Sequence, residues 1–275
     1  MANEHWRPAF ACLGITDPLV AWLVYRGEMV SAPSAHHTAW SFWHSSHMEV
    51  LSSGRADRYQ REVVLELFRQ EEFPNKVGRL AGFYCFPDEA AARRASVRWG
   101  SAAFRMDQLA EIALSPASRV SVHDATWISR GLSVEDKDWM RRYWNGDLTD
   151  DPVLEVIVDG RAYILGTTLR AEARRVVAAT WPNSLPLLEL ARVAAWLQSD
   201  LGLIAAMPRW QPDGARFDYF MNFQDATDEE FLERLRGYVG PANREDMPSN
   251  AELVLPDLQS RGFILPWGPA GSPGA

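Results

Sequence analysis

The run Val153-Leu154-Glu155-Val156-Ile157-Val158, followed by Asp159-Gly160 and then Ala162-Tyr163-Ile164-Leu165, constrains this chain more than any other stretch. A segment rich in β-branched residues reads as a strand and Asp-Gly is a favoured two-residue turn. With the second apolar run, the pattern predicts a β-hairpin with a primed turn. Side chains alternate along a strand, so Glu155 shares a face with Val153 and Ile157, while Leu154, Val156 and Val158 face the other way. A carboxylate between two β-branched residues is either on a solvated face or aimed into a pocket.

The rest of the chain supplies mixed elements. Residues 18–25, Pro-Leu-Val-Ala-Trp-Leu-Val-Tyr, form an apolar run that predicts a buried strand ending at Arg26-Gly27. Residues 31–47 show no period and predict a long loop with one helical turn at most. In residues 58–69, Val63, Val64, Leu67 and Phe68 recur at helical spacing with charges opposite, and Phe73-Pro74-Asn75-Lys76 breaks that helix. Residues 80–86 predict a second strand, after which Asp88 is placed to cap a helix through 90–95. Short strands are expected around Phe104 and at 120–123, a helix at 135–144 stopped by Asn145-Gly146, and another at 169–179.

Trp181-Pro182-Asn183-Ser184 marks the expected boundary between a first domain, residues 1–180, and a smaller C-terminal α+β accessory module, residues 181–265. That module is expected to contain an amphipathic helix at 185–201, an aromatic strand at 216–223 and a helix from Thr227-Asp228-Glu229-Glu230 to Tyr238. Residues 266–275 read as a disordered tail. The fold class is α+β.

Composition sets limits on function. Apolar residues make up 47% and charged residues 23% of the chain, values of a globular protein. The formal charge of −8 argues against broad phosphate neutralisation, leaving only a local basic lip from Arg93, Arg94 and Arg98 or from Arg141 and Arg142. Two cysteines, Cys12 and Cys85, are too few for a disulfide framework and predict a reducing, cytoplasmic setting. The N-terminus lacks the pattern of a secretory signal, and no run approaches the length of a membrane span. Twelve tryptophans, eight of them at or before Trp144, predict heavy core packing or an aromatic-lined cleft. No Rossmann glycine fingerprint, phosphate-binding loop, nucleophile elbow or paired-histidine zinc motif is present.

Three segments each carry one chemically capable side chain: Tyr25-Arg26-Gly27-Glu28, then Gly82-Phe83-Tyr84-Cys85-Phe86, then the strand of Glu155. A cation, an aromatic phenol and a late glutamate in that order resemble the ADP-ribosyltransferase fold. Glu66-Leu67-Phe68-Arg69, Phe73-Pro74, Arg79-Leu80 and Tyr143-Trp144-Asn145-Gly146 resemble an uncharacterised bacterial or phage branch of it, so the resemblance covers residues 20–170. It implies a split β-sheet core with flanking helices and an enzyme that consumes NAD as its substrate. It implies Glu155 as the group that stabilises the ribosyl cation left by departing nicotinamide, with Arg26, Gly27, Arg79, Phe83, Tyr84 and Trp144 around NAD. It further implies a nucleic-acid or protein acceptor, a toxin or phage-conflict setting, and an antitoxin or regulatory protein as partner for residues 181–265. Position 153 is Val, so the Glu-x-Glu of arginine-modifying members is missing.

Each residue also has a plainer reading. Arg26 forms a salt bridge with Glu28 or another acid, and Tyr84 belongs to the core. Two rival functions stand beside the transferase: a non-catalytic adaptor on the same fold, and a metal-dependent hydrolase using His36, His37, His44 and His47. That histidine segment alternatively forms a lid over NAD.

Overall fold

The computed structural model describes residues 5–32, 40–52, 56–100, 104–130, 133, 135–212, 214–242 and 253–266. The order of elements begins β1 (Arg7–Cys12), α1 (Pro18–Arg26), β2 (Glu28–Val30), α2 (Phe42–Ser52), α3 (Ala56–Glu72), β3 (Phe83–Cys85) and α4 (Glu89–Trp99). It continues with β4 (Leu109–Leu114), β5 (Arg119–Asp124), α5 (Thr126–Ser129), α6 (Lys137–Asn145), β6 (Leu154–Asp159), β7 (Arg161–Ile164) and α7 (Thr167–Thr180). Last come α8 (Leu185–Trp196), β8 (Ile204–Gln211), β9 (Gly214–Met221), α9 (Glu229–Arg236) and β10 (Phe263–Pro266). The fold is α+β, as the sequence predicts.

The strands form three sheets, ordered β1-β4-β7-β2, β3-β6-β5 and β10-β9-β8, and every pairing is antiparallel. The first two sheets meet at the isolated bridge Phe10–Phe86, whose two backbone bonds measure 2.9 and 2.7 Å. Among the described residues no other backbone bridge joins these two sheets.

The expected hairpin does not form. β6 pairs with β3 and β5, whereas β7 pairs with β2 and β4, so the Asp159-Gly160 corner carries the chain from one sheet into the other. Two serines build the corner. Ser31 Oγ accepts from Gly160 N at 2.9 Å, and Ser118 Oγ accepts from Arg161 N at 3.0 Å. Gly160 has φ +143°, and a Cβ there would lie 2.3 Å from Ser118 Oγ, so the corner requires glycine.

The strand expected at residues 18–25 is a helix, α1. Asp17 Oδ1 accepts from Leu19 N at 2.7 Å, Pro18 occupies the first turn, and Gly27 closes the helix in the left-handed conformation at φ 102°. Every residue from Pro18 to Val24 is buried, which explains the uninterrupted apolar run: a helix enclosed on all sides shows no amphipathic period. The loop expected up to residue 47 is shorter, because α2 begins at Phe42, with Ser41 Oγ accepting from His44 N at 3.3 Å. The strand sought near Phe104 lies later, at Leu109–Leu114, where β4 pairs with β1 and β7.

The expected boundary at residues 181–184 is a corner between α7 and α8, containing a short 3-10 turn at Pro182–Ser184. Side chains from both sides of it share one core: Trp22, Phe83, Ile112 and Val158 join Leu188, Ala191, Ile204 and Phe217 in a single cluster. Trp22 Nε1 donates to Gly202 O at 2.9 Å within it. The helix, strand and helix expected in this segment are α8, β9 and α9, with Asp228 capping α9 through Phe231 N at 2.7 Å. The expected tail lies outside the described residues apart from Pro266.

Candidate active site

Arg79 lies in the segment between α3 and β3, and Gly82 presses that segment against β6. A Cβ on Gly82 would sit 2.7 Å from Ile157 Cγ2 and 2.9 Å from Gly78 O, so glycine permits the approach. The Arg79 guanidinium thereby reaches three elements. It forks onto Glu62 of α3, with Nε to Oε2 at 2.7 Å and Nη2 to Oε1 at 3.0 Å. Its Nη1 donates to Glu155 Oε1 of β6 and to Tyr143 Oη of α6, both at 2.5 Å. Tyr143 Oη in turn donates to the same Glu155 oxygen at 2.8 Å. The guanidinium carbon also lies 4.8 Å from the centroid of the Tyr84 ring and 5.4 Å from that of Tyr143.

Around this centre the helix face predicted to meet solvent is buried. α3 buries Tyr59, Glu62, Leu65, Glu66 and Phe68, while Leu67, expected in the apolar stripe, is 59% exposed. Glu62 and Glu66 stand one turn apart on one face. Glu66 Oε1 accepts from Arg69, and its Oε2 accepts from Arg79 N at 3.2 Å. Burying a carboxylate costs several kcal/mol, on the order of a buried ion's desolvation, unless it is paired and hydrogen-bonded. Arg79 and Arg69 satisfy that condition for α3.

The charges at the centre do not cancel. One guanidinium is bonded to two carboxylates, so the fully ionised Glu62–Arg79–Glu155 trio by itself carries one excess negative charge in a buried setting, beside a cavity that Arg61 also lines. The acids respond in opposite directions. Burial lifts the Glu155 carboxyl above the usual range, against the pull of Arg79 and Tyr143, and Glu62 adds to the rise. Burial would also lift Glu62, but its two-point pairing with Arg79 outweighs this and holds it below the usual range. Burial likewise keeps the Tyr84 and Tyr143 phenols protonated, well above their ordinary pKa.

A cavity of about 250 Å³ lies against this network. Glu62, Arg79, Tyr84, Glu155, His44 and Arg61 line its polar side, and Cys12, Met48, Phe86, Trp99 and Phe104 are among its apolar wall. Cys12 of β1 and Tyr84 and Cys85 of β3 are among its lining residues. Both hydrogen bonds to Glu155 use Oε1, and Oε2 takes part in none among the described residues.

The structure brings together Arg79, Tyr84 and Glu155 of the sequence-predicted residues. Tyr84 Oη donates to Arg79 O at 2.9 Å and lies 2.6 Å from His44 Nδ1. Trp144 stands behind the site, fully buried, with Nε1 donating to Leu65 O at 3.2 Å and its ring edge-on to His123 and Tyr143. Phe83 faces the opposite side of β3 from Tyr84 and belongs to the main core. Gly27 is the terminator of α1 and lies beside Arg170. Arg26 is fully engaged elsewhere, with Nη1 on Glu28 at 2.6 Å, Nη2 on Ser199 O at 2.5 Å and Nε on Leu201 O at 3.3 Å. Its plainer reading, the pair with Glu28, is the one observed, and it does not line the cavity.

Sequence reasoning missed Glu62 as a site residue and passed over Tyr143 in favour of its neighbour Trp144. Of the histidine segment, His44 and His47 lie on α2 against the cavity, and His36 and His37 fall outside the described residues. Among the described residues no three His, Cys, Asp or Glu side chains are grouped to hold a metal ion. No described helix is long and apolar enough to cross a membrane.

Fold and site together define an α+β protein of three antiparallel sheets with a cavity bordered by the Glu62–Arg79–Glu155 ion network. A family of proteins of unknown function (DUF2441) matches residues 30–170, just over half of the chain, and the chain belongs to it. The matched segment contains His44, Glu62, Arg79, Tyr84, Tyr143 and Glu155. No curated protein matches the chain.

Proposed function

We propose that this chain is an NAD-consuming ADP-ribosyltransferase of the cytoplasm, with the nicotinamide end of NAD in the cavity beside Glu155. The observation that carries the reading is a cavity wall on which one arginine binds two buried carboxylates, Glu62 and Glu155, and Glu155 Oε2 takes part in no hydrogen bond among the described residues. The pyridinium of NAD is a cation, and so is the ribosyl centre that forms as nicotinamide leaves. A fixed anion in a dry site favours both and costs no reorganisation during reaction. The division into two small sheets with the cavity at their junction supports the split-sheet core that the sequence resemblance implies.

In this account Arg79 and Tyr143 immobilise Glu155 through Oε1, leaving Oε2 as the acceptor for a ribose hydroxyl and the nearest anion to the developing charge. Arg79 is thus a positioning residue rather than a phosphate clamp. Tyr84 supplies an aromatic wall. The cavity, about 250 Å³, falls below the roughly 300–1,000 Å³ of sites that enclose whole drug-sized ligands. It suits the nicotinamide riboside half of NAD, with the adenosine half outside. A toxin-type role, with a macromolecular acceptor and a regulatory partner for residues 181–265, belongs to the same proposal.

Incubation with adenylate-labelled NAD tests it. Wild type is expected to release nicotinamide, and Glu155→Gln to do so about 100- to 1,000-fold more slowly, as when a preorganised electrostatic group is removed. Absence of release from the wild-type chain overturns the reading. Equal rates from both chains remove Glu155 from its role.

A further inference from the structure

The mechanism above leaves one buried polar group of the cavity wall unused. His44 is 1% exposed, and its Nε2 has no hydrogen-bond partner. The ring is held on its other side, where Nδ1 lies 2.6 Å from Tyr84 Oη. The proton count around Tyr84 then fixes the tautomer. The phenol holds one hydrogen, and among the described residues Tyr84 is the donor to Arg79 O, at 2.9 Å. Turning that hydrogen toward His44 would strand a buried carbonyl, which is costly. His44 Nδ1 therefore carries the hydrogen and donates to Tyr84 Oη, leaving Nε2 as a bare lone pair.

We infer that His44 is the proton acceptor of the transfer step, so that the acceptor is a neutral, proton-bearing nucleophile, a hydroxyl or an amide N–H, and not a carboxylate. The inference rests on the NAD reading and deepens it. The C1′–N bond to nicotinamide breaks and its electron pair leaves with the neutral base. A lone pair of the acceptor oxygen or nitrogen forms the new bond to C1′. The acceptor's O–H or N–H bond breaks, and its proton passes to His44 Nε2, to be released to water after product leaves. Glu155 does not take that proton in this scheme, because its task is to remain an anion near C1′.

The groups around His44 fit a transient role for its charge. Glu62, Arg79, His47 and Tyr84 face it, and Trp40 packs edge-on at 5.2 Å. Burial, helped by Arg79 and His47 and opposed by Glu62, pulls the His44 pKa down to about 3. The imidazole is thus unprotonated at neutral pH and returns a captured proton readily. A nucleophile that has just bonded to a ribosyl cation is a far stronger acid than it was before, so a weak base suffices.

The test uses the full chain with NAD and three simple acceptors: water, methanol and azide. His44→Asn keeps a group that can bond Tyr84 and deletes the Nε2 position, whereas His44→Gln does the reverse. General bases contribute about 100- to 10,000-fold. His44→Asn is therefore expected to slow transfer to water and methanol about 100-fold or more with an unchanged KM for NAD. Transfer to azide, which has no proton to lose, persists, so the ratio of azide product to methanol product rises by the same factor. His44→Gln is expected to retain more methanol transfer than His44→Asn. Nitrogen-15 imidazole spectra of the wild type should show Nδ1 protonated and Nε2 bare. Methanol transfer at the wild-type rate in His44→Asn, or a protonated Nε2, overturns the assignment alone. Equal losses with methanol and azide do the same, because they mark a merely structural role. A wild-type chain that releases no nicotinamide overturns the NAD reading and this assignment with it.

Discussion

Two ion networks in this protein, one buried and one only partly so, use the same residue types to opposite ends. In the first, Arg26 and Arg161 share Glu28, and Arg161 also binds Asp200. Two cations meet two anions, the backbone carbonyls of Ser199 and Leu201 take the remaining donors of Arg26, and no member lines the cavity. In the second, Arg79 binds both Glu62 and Glu155 beside a cavity that Arg61 also lines. The balanced network ties α1, β2 and β7 to the segment after α8. The unbalanced one keeps a charge that a cationic ligand can satisfy. Burial alone therefore does not mark a functional arginine. The difference lies in charge count and in what the group borders.

Breaking the networks should expose that contrast. Arg79→Met leaves the buried carboxylates Glu62 and Glu155 without their shared cation and is expected to cost about 3–5 kcal/mol, read from denaturant unfolding, whereas Arg26→Met leaves Glu28 paired with Arg161 and should cost less. Removing one acid should separate them. Glu28→Gln deprives both Arg26 and Arg161 of their shared anion and is expected to destabilise nearly as much. Glu62→Gln converts an excess charge into a neutral pair and is expected to cost clearly less. Equal losses from the two acid substitutions would contradict the assigned charge counts.

The pH response comes next in size. Burial pulls the pKa of His44 down to about 3 and that of His123 down to about 4. The unfolded chain binds protons at both imidazoles below about pH 6.5, whereas the folded chain does not until those lower values. Stability therefore rises with pH across the window, and each unit of acidification removes up to about 1.4 kcal/mol per histidine. Glu155, with its raised pKa, works in the opposite direction in the carboxylate range. Urea unfolding between pH 7 and pH 5 should show the slope, and His123→Asn should make it shallower. An unchanged slope in His123→Asn would place no proton deficit at His123. Smallest of all, Asp17→Ala removes the cap of α1 and should cost about 1 kcal/mol.

Much of this was legible in the sequence, and the failures have physical causes. α4, α6 and α9 carry caps that the sequence declares, α7 lies where a helix was expected, and β3 and β6 sit where their apolar runs place them. α1 carried its caps too, in Asp17-Pro18 and Gly27, but a helix buried on every side reads like a buried strand. The residues of the Asp159-Gly160 corner suit a hairpin equally well, and only contacts with Ser31 and Ser118, distant in sequence, turn it between sheets. Glu155, Tyr84 and Arg79 were found because each sits on or beside a strand that could be placed. Glu62 was hidden because a charged helical position reads as solvent-facing unless its buried partner is known. Arg79 is seventeen residues away, across a break in the helix.

The most direct test of the central claim is the charge preference of the cavity. 1-Methylnicotinamide carries the pyridinium charge of NAD, and nicotinamide is its near-neutral counterpart of similar shape. Calorimetry at neutral pH should find the cation bound about tenfold more tightly or better, equivalent to one pKa unit of differential interaction, and Glu62→Gln should narrow that gap. Equal or stronger binding of the neutral compound would contradict the claim that an unbalanced anion faces the cavity.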